Sequence, residues 1–353
     1  MKVRRLTAVA AVSVVALAAC GGGDQQATKP KPKPPTTTTT VPVPTAPFTG
    51  LPDPSGVTQT RPSLAVKIEN TPEARPQSGL DVADVVYEEV VDGGITRFWA
   101  LFNSAAPASI GPVRSVRAMD PMVVKPLGGV IAYSGGTVPN VALIRATGLV
   151  WVDENNAADS FFRERTRSAP HNLYGRSDLL FKRGGTPVPP MPLFSYLDKG
   201  ATFTGEPVTG MHLNYDQGYD VTYQWDATAN GWKRFQRTNE PFMAVGSTGF
   251  TPVQVAPTNV IVMFVPYAGA GEGNLIGSGD AWIFSNGQLV KGRWAKPSAE
   301  VAATYTDAAG VAILLTRGRT WVELLPTGRT VDVAAAPVPP PTTTTTTTKK
   351  KKK

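Results

Sequence analysis

Short β-branched and aromatic runs alternate with turn sequences after residue 211, and this pattern limits the possible folds more than any other feature of the chain. An Asn-Gly pair between apolar runs is a strong hairpin signal, and Asn230-Gly231 and Asn286-Gly287 both provide one. The runs are Val221–Trp225, Trp232–Gln236, Asn259–Val265, Ala281–Ser285, Gln288–Trp294, Ala302–Tyr305, Val311–Thr316 and Thr320–Leu324. The pattern predicts a mostly antiparallel β domain over residues 211–328.

Residues 48–190 mix two kinds of pattern. Ser63–Glu69 and Ile95–Phe102 are apolar runs that predict strands, whereas the spacing in Val138–Thr147 predicts a helix. The stretch 183–211 is rich in glycine and proline and predicts a boundary or a long loop. The fold class predicted for the whole chain is therefore α+β, with an N-terminal α+β domain before the β-rich domain.

Both ends of the chain are rich in proline and threonine, so residues 21–47 and 334–353 are predicted to be disordered. The formal charge of +8 suggests a nucleic-acid partner. However, eleven of the 35 basic residues and one of the 27 acidic residues lie in these tails and the leader, which leaves 24 basic and 26 acidic residues in the body. We therefore expect no nucleic-acid binding. The five C-terminal lysines are either a solvated end or a contact for anionic polymers or lipids.

Residues 1–20 have the pattern of an export signal. Lys2, Arg4 and Arg5 precede the apolar segment Leu6–Leu17, which is too short to span a membrane. The segment ends in Leu-Ala-Ala-Cys, so Cys20 stands where a bacterial lipobox places its lipidated cysteine. An ordinary signal peptide with an incidental cysteine is the alternative. The lipobox interpretation predicts a lipid anchor on Cys20 in the cell membrane, with the protein facing the extracytoplasmic side.

Arginines are concentrated between residues 74 and 117, together with acidic residues and two adjacent glycines. Arg97 lies inside a predicted strand, and a buried arginine requires an acidic partner such as Glu88, Glu89 or Asp92. One interpretation is therefore a set of structural ion pairs. The other is an anion-binding pocket that uses backbone N–H groups near Gly93-Gly94 or Gly135-Gly136. The candidate ligand-binding arginines are Arg75, Arg97, Arg114 and Arg117.

Two residues are candidates for acid–base catalysis. His171 lies in a polar loop beside Pro170 and could act as a general acid or base, although a lone histidine can also be structural. Glu88 is the candidate carboxylate, and Asn172, next to His171, is a further ligand-binding candidate. The other histidine, His212, lies in a β-like run and is interpreted as structural.

Other kinds of site lack a signal in the sequence. Cys20 is the only cysteine, so disulfides within the chain and thiolate metal sites are excluded. No G-x-S-x-G elbow is present. Gly269–Gly279 lacks the lysine of a phosphate-binding loop, so it is interpreted as a flexible loop of the β domain or as hairpin ends. We therefore expect no metal and no cofactor.

Several motifs resemble the YerB-like family of bacterial lipoproteins, a family named for a domain of unknown function, 3048. The resemblance covers about residues 50–327 and departs from the family at Thr71, where similar proteins often have histidine. It implies an N-terminal and a C-terminal domain and a lipid anchor, and it implies no settled activity. The matching segments are Arg61-Pro62, Asn70, Ala74–Leu80, Ala83–Glu88, Gly93–Phe98, Ile110–Arg117, Ser134–Gly136, Ala169–Tyr174, Asn259–Val262, Gly277–Gly287 and Gly318–Trp321.

Three hypotheses about function remain. The first is an envelope protein that binds an anionic cell-envelope polymer or a glycan through its arginines. The second is an envelope hydrolase or transferase that acts on a phosphodiester or glycosidic bond. The third is a module that binds another envelope protein. The sequence predicts no oligomeric state.

Overall fold

The computed structural model describes residues 43–185, 188–215, 218–237, 239–246 and 251–336. The predicted lipobox, with Cys20, and most of both predicted disordered tails lie outside these residues. The described residues are mostly strand, and their three α-helices all precede residue 183. The helices are α1 (Asp120–Val124), α2 (Val138–Arg145) and α3 (Ser177–Lys182).

The first portion of the described chain, residues 43–185, contributes eight strands. They are β1 (Leu64–Glu69), β2 (Gln77–Ser78), β3 (Val85–Val90), β4 (Thr96–Phe102), β5 (Val130–Ala132), β6 (Val150–Val152), β7 (Phe161–Arg163) and β8 (Leu173–Gly175).

The second portion contains the longest strands. They are β9 (Glu206–Leu213), β10 (Val221–Asp226), β11 (Gly231–Gln236), β12 (Glu240–Pro241), β13 (Met243–Val245), β14 (Pro252–Gln254), β15 (Asn259–Val265), β16 (Gly277–Ser285), β17 (Gln288–Lys296), β18 (Thr304–Asp307), β19 (Thr320–Pro326) and β20 (Val331–Ala335). At the β16–β17 turn both Asn286 and Gly287 have positive φ, as the Asn-Gly signal predicts.

One large sheet contains strands from both portions. Its order is β12-β11-β10-β9-β17-β16-β15-β19-β3-β4-β1-β5-β6, with β18 on β17 and β20 on β9. β19 lies between β15 and β3 and is parallel to both, while most other pairs in the second portion are antiparallel. β20 includes Ala334 and Ala335, the first residues of the predicted disordered tail, because it pairs with β9. The predicted boundaries of the two domains stay predictions.

Apolar cores cover the two faces of this sheet, and each core contains a buried group of charged side chains. On one face Lys67 forms ion pairs with Glu89 and Asp120, and Trp99 Nε1 donates to the same Asp120 oxygen. On the other face Arg234 forms an ion pair with Glu88. The hydroxyls of Tyr215 and Tyr223 donate to Glu323 there, at 2.9 and 2.5 Å. Buried charges are stable only when they are paired and hydrogen-bonded in this way.

Candidate functional site

The strands that surround the candidate site end at one edge of the large sheet. β1, β3, β5 and β6 run in the same direction, while β4 runs against β1 and β3. The carboxyl ends of the four parallel strands therefore meet the beginning of β4 at one edge. In α/β sheets this is the edge at which ligands usually bind.

Arg97 lies at this edge in the second position of β4. Its Cα is paired with Glu69 in β1 and with Glu89 in β3, so the three side chains point to the same face. The residue is only 5% exposed, and its Nη1 donates to the carbonyl of Ser115 at 2.8 Å. Burial, together with the nearby charges of Arg117 and Arg114, lowers the pKa of Arg97 to about 10, although Glu89 and Glu69 oppose this shift.

Arg114 and Arg117 lie on an extended segment that the backbone fixes beside Arg97. The amide of Arg114 donates to Lys67 O at 2.9 Å, and the amide of Ser134 donates to Arg114 O at 3.0 Å. Arg114 Nε lies 3.2 Å from Glu69 Oε1, close enough for charge attraction although the two groups are not aligned as a hydrogen bond. Arg117 forms an ion pair with the exposed Asp92.

All three arginines have a donor group without a hydrogen bond. The Nε atoms of Arg97, Arg114 and Arg117 are buried and have no hydrogen-bond partner among the described residues. The loop after β5 passes beside this cluster, because the amide of Val116 donates to the carbonyl of Gly135 at 2.9 Å. Gly135 has a φ of 124° and open space at its Cβ position, and α2 begins three residues later at Val138, with Thr137 as its N-cap. We call Arg97, Arg114 and Arg117 the arginine cluster.

A glycine from the second portion supports this cluster. Gly271 has a φ of 73°, and a Cβ on it would lie 3.1 Å from both Cγ and Cδ of Arg117. Its amide donates to Val90 O at 3.0 Å, and its carbonyl accepts from the amide of Met119 at 3.3 Å. The glycine-rich stretch that was interpreted as a flexible loop therefore packs against Arg117.

His171 lies next to the cluster and is held by Glu69. His171 Nδ1 is 2.9 Å from Glu69 Oε2, and Thr71 Oγ1 donates to Glu69 Oε1 at 3.0 Å. Glu69 is 1% exposed, whereas the His171 side chain is 23% exposed. A buried carboxylate that faces one ring nitrogen leaves the other nitrogen toward solvent, as in hydrolytic His–carboxylate pairs.

Glu69 was missed as a site residue by the sequence reasoning. It is the last residue of a predicted strand, and nothing in the local sequence shows that a loop more than 100 residues later returns to it. The available signal was the position of Glu69 at the end of a strand, two residues before Thr71, where similar proteins often have histidine.

The other candidate residues are not part of the arginine cluster. Glu88 is fully buried on the opposite face, where it pairs with Arg234 and accepts from Asn70 Nδ2 at 3.3 Å. Asn172 accepts from Arg163 Nη1 at 2.9 Å, on the loop that carries His171. Arg75 donates to Asn70 and lines a separate cleft of about 460 Å³. The structure thus brings Arg97, Arg114, Arg117 and His171 together and separates Glu88 and Arg75 from them.

The acids expected to pair with Arg97 have other partners. Glu88 pairs with Arg234, Glu89 with Lys67, and Asp92 with Arg117. The expectation that Arg97 would pair with one of them was wrong, because β4 places its guanidinium toward a backbone carbonyl and two other arginines. No helix within the described ranges is both long and apolar enough to cross a membrane.

Two segments of the chain match a known family. Residues 48–186 match the N-terminal domain, and residues 211–322 the C-terminal domain, of the family described as protein of unknown function (DUF3048). The chain is also similar to a Bacillus subtilis (strain 168) protein named "Putative lipoprotein YerB". The two are 26% identical over 296 residues, which cover 80% of this chain and 86% of that protein.

A solved structure has the same fold. The crystal structure of the YerB protein from Bacillus subtilis superimposes with a TM-score of 0.69 at 23% sequence identity, and the match covers 82% of this chain and 99% of that one. The two matched family domains together span well over half of the chain. The chain therefore belongs to the DUF3048 family.

Proposed function

We propose that this protein is a lipid-anchored envelope protein that binds an anionic cell-envelope polymer through the arginine cluster. The name of the Bacillus subtilis relative supports the lipoprotein assignment, and Cys20 in its lipobox sequence supplies the residue to be lipidated. The anchor would hold the folded domain at the extracytoplasmic face of the membrane, where such polymers occur.

The observation that carries this proposal is the charge arrangement at Arg97. Three guanidinium groups lie close together, and the most buried of them is bound to a neutral carbonyl rather than to a carboxylate. Glu69 and Asp92 offset part of this positive charge, and a phosphate or carboxylate that bound at the cluster would be attracted by all three guanidinium groups. The open loop at Gly135 leaves room for a polymer to approach.

Retention on immobilised poly(glycerol phosphate) teichoic acid tests the proposal. The wild-type full-length chain should be retained and should elute earlier at high salt, because the attraction is ionic. Arg114→Gln removes one partly exposed charge of the cluster and should weaken retention by about tenfold. Arg293→Gln is the control, since Arg293 is an exposed arginine of β17 that pairs with Asp280 of β16. Equal retention of both variants, or no retention of the wild type, would contradict the proposal.

The Glu69–His171 pair supports a second candidate, a hydrolase or transferase for phosphodiesters. Glu69 would hold the Nδ1 proton, so that Nε2 accepts a proton from a water or hydroxyl as its oxygen attacks phosphorus. The departing oxygen would then take up this proton as its bond to phosphorus breaks. The arginine cluster would stabilise the negative charge that develops in the transition state.

Turnover of bis(4-nitrophenyl) phosphate separates the two functions. If the protein is an enzyme, His171→Gln should abolish turnover and leave retention on teichoic acid unchanged, because the arginines remain. Glu69→Gln should reduce turnover by a smaller factor, since the imidazole loses only its orienting partner. A wild-type chain that is retained but shows no turnover above buffer would leave binding as the function.

A further inference from the structure

A second cleft, distinct from the arginine cluster, lies between the two portions of the chain. It occupies about 460 Å³, within the range of small-molecule sites. One wall is the segment around Arg75 and Pro76, and the other is formed by β12, Phe242 and β13. Segments that are far apart in sequence therefore build it together.

Arg75 supplies a fixed positive charge at this cleft. Its Nε donates to Asn70 Oδ1 at 3.3 Å and its Nη2 donates to Asn70 O at 3.0 Å. Asn70 is itself fully buried and donates to Thr96 Oγ1 at 2.7 Å, so the arginine is held in place. Both acceptors of Arg75 are neutral, and its charge is therefore not cancelled by a bound carboxylate. Burial, followed by the nearby charge of Arg234, lowers the pKa of Arg75, while the charges of Glu240 and Glu88 oppose this shift.

The opposite wall of the cleft is apolar and rigid. Phe242 is 1% exposed, and its ring packs edge-on against Phe98 and Trp321 at centroid distances of 5.8 and 6.1 Å. The Arg234 guanidinium also packs on the Phe242 ring, 4.0 Å from its centroid. Met243 and Pro241 extend the apolar lining toward solvent. Because Phe242 is almost fully buried, an apolar group that enters the cleft would gain most of its contact area from Pro241 and Met243.

The charges that line the cleft favour a single negative charge. Arg75 and Arg237 contribute two positive charges and Glu240 contributes one negative charge. Arg237 donates its Nε to Gly218 O at 3.2 Å, again a neutral acceptor. The net charge of these lining residues is +1, which one carboxylate would neutralise.

We propose that this cleft binds a small amphiphilic carboxylate, with the carboxylate on Arg75 and the apolar body against Phe242, Met243 and Pro241. The site does not depend on the polymer-binding function, because it shares no residue with the arginine cluster. Arg75 thus belongs to a different site from the one to which its position in the sequence assigned it.

Methyl NMR of the full-length chain labelled with [¹³C-methyl]methionine tests this site with octanoate as the probe. The Met243 resonance, assigned with Met243→Leu, should shift and saturate with octanoate. The Met191 methyl, which is 74% exposed and lies outside the cleft, should not shift. Arg75→Gln should weaken octanoate binding by about tenfold, the usual loss for one charged hydrogen bond. Arg293→Gln should bind octanoate like the wild type.

Three results would overturn the site. The first is an unmoved Met243 methyl. The second is an equal response to octanol, which would show that the carboxylate is not recognised. The third is unchanged octanoate affinity in Arg75→Gln. Because Arg75→Gln should leave retention on teichoic acid intact, failure of this site and failure of the polymer-binding function are distinguishable.

Discussion

Arg234 Nη2 donates to Glu88 Oε2 at 2.7 Å, and both side chains are fully buried. The pair joins β11 to β3, and so connects a strand of the C-terminal family domain to a strand of the N-terminal one. Glu323 lies beside Glu88 in the strand register, so the Arg234 guanidinium attracts both buried carboxyl groups. The residue that the sequence suggested as a catalytic carboxylate therefore has an evident structural role.

Arg234→Met should lower the free energy of unfolding by about 3–5 kcal/mol, because it leaves buried carboxyl groups without their cation. Urea unfolding followed by tryptophan fluorescence measures the change. Arg293→Met removes an exposed ion pair and should cost less than about 1 kcal/mol. A loss for Arg234→Met as small as that of the control would show that the buried pair is dispensable.

Stability should decrease as the pH rises from about 5 to 8. Burial, followed by the charge of Glu88, raises the pKa of Glu323 from 4.5 to about 8, and burial with the charge of Asp120 does the same for Glu89. In the unfolded chain both groups lose their protons near pH 4.3. The folded state therefore binds more protons over this interval, and the free energy of unfolding falls with pH.

Glu323→Gln should flatten this pH dependence, because the amide does not titrate. The measurement is urea unfolding at pH 5, 6, 7 and 8. Glu300→Gln is the control, since a hydrogen bond from Lys125 lowers the pKa of Glu300 to about 2, below the interval. If Glu323→Gln has the same slope as the wild type and the control, the raised pKa of Glu323 is wrong.

Arg97→Gln should lose retention on teichoic acid without losing stability. The substitution removes a charge that burial and two neighbouring arginines disfavour, while the amide can still donate to Ser115 O. We expect a melting temperature equal to or above that of the wild type, as at sites where function opposes stability. A loss of about 3 kcal/mol or more would instead identify Arg97 as part of a structural ion-pair network.

Gly271→Ala should weaken retention through Arg117. The left-handed backbone at Gly271 costs an alanine about 1 kcal/mol, and the new methyl group would displace the Arg117 side chain. Gly93→Ala has a similar φ of 71° and open space around its Cβ, so it should carry the backbone cost alone. Chemical unfolding and retention are measured on both. Equal retention would show that the position of Arg117 is not critical.

Local patterns predicted many of the elements. Asn259–Val265 and the β16–β17 hairpin are as expected, since their β-branched runs and Asn-Gly turn act over a few residues. The first part of β9 was missed, because it contains Pro207 and Gly210 and was interpreted as part of a loop, whereas His212 near its end was placed in a β-like run. Val311–Thr316 was expected to be a strand but contributes only isolated bridges at Ala312 and Leu315. The overall β-rich character could be predicted, whereas the parallel insertion of β19 could not, because it depends on pairing between distant segments.

The same limit applies to the site. Clustering in the sequence indicated Arg97, Arg114 and Arg117, because strand β4 and the adjacent segment keep neighbours in sequence close in space. It also indicated Arg75, although that side chain turns to Asn70 and the other face of the sheet. Glu69 and its contact with His171 depend on a loop that returns from far along the chain, and no local pattern encodes that return.

The position of β19 affects the order in which the chain can complete its fold. Residues 320–326 form the parallel neighbour of β3, yet they are synthesised long after β3 and β4. Until they pair with β3, one edge of that strand has no partner, and an unpaired strand edge is prone to aggregation. A truncated chain that ends before residue 320 would therefore present an aggregation-prone edge along β3.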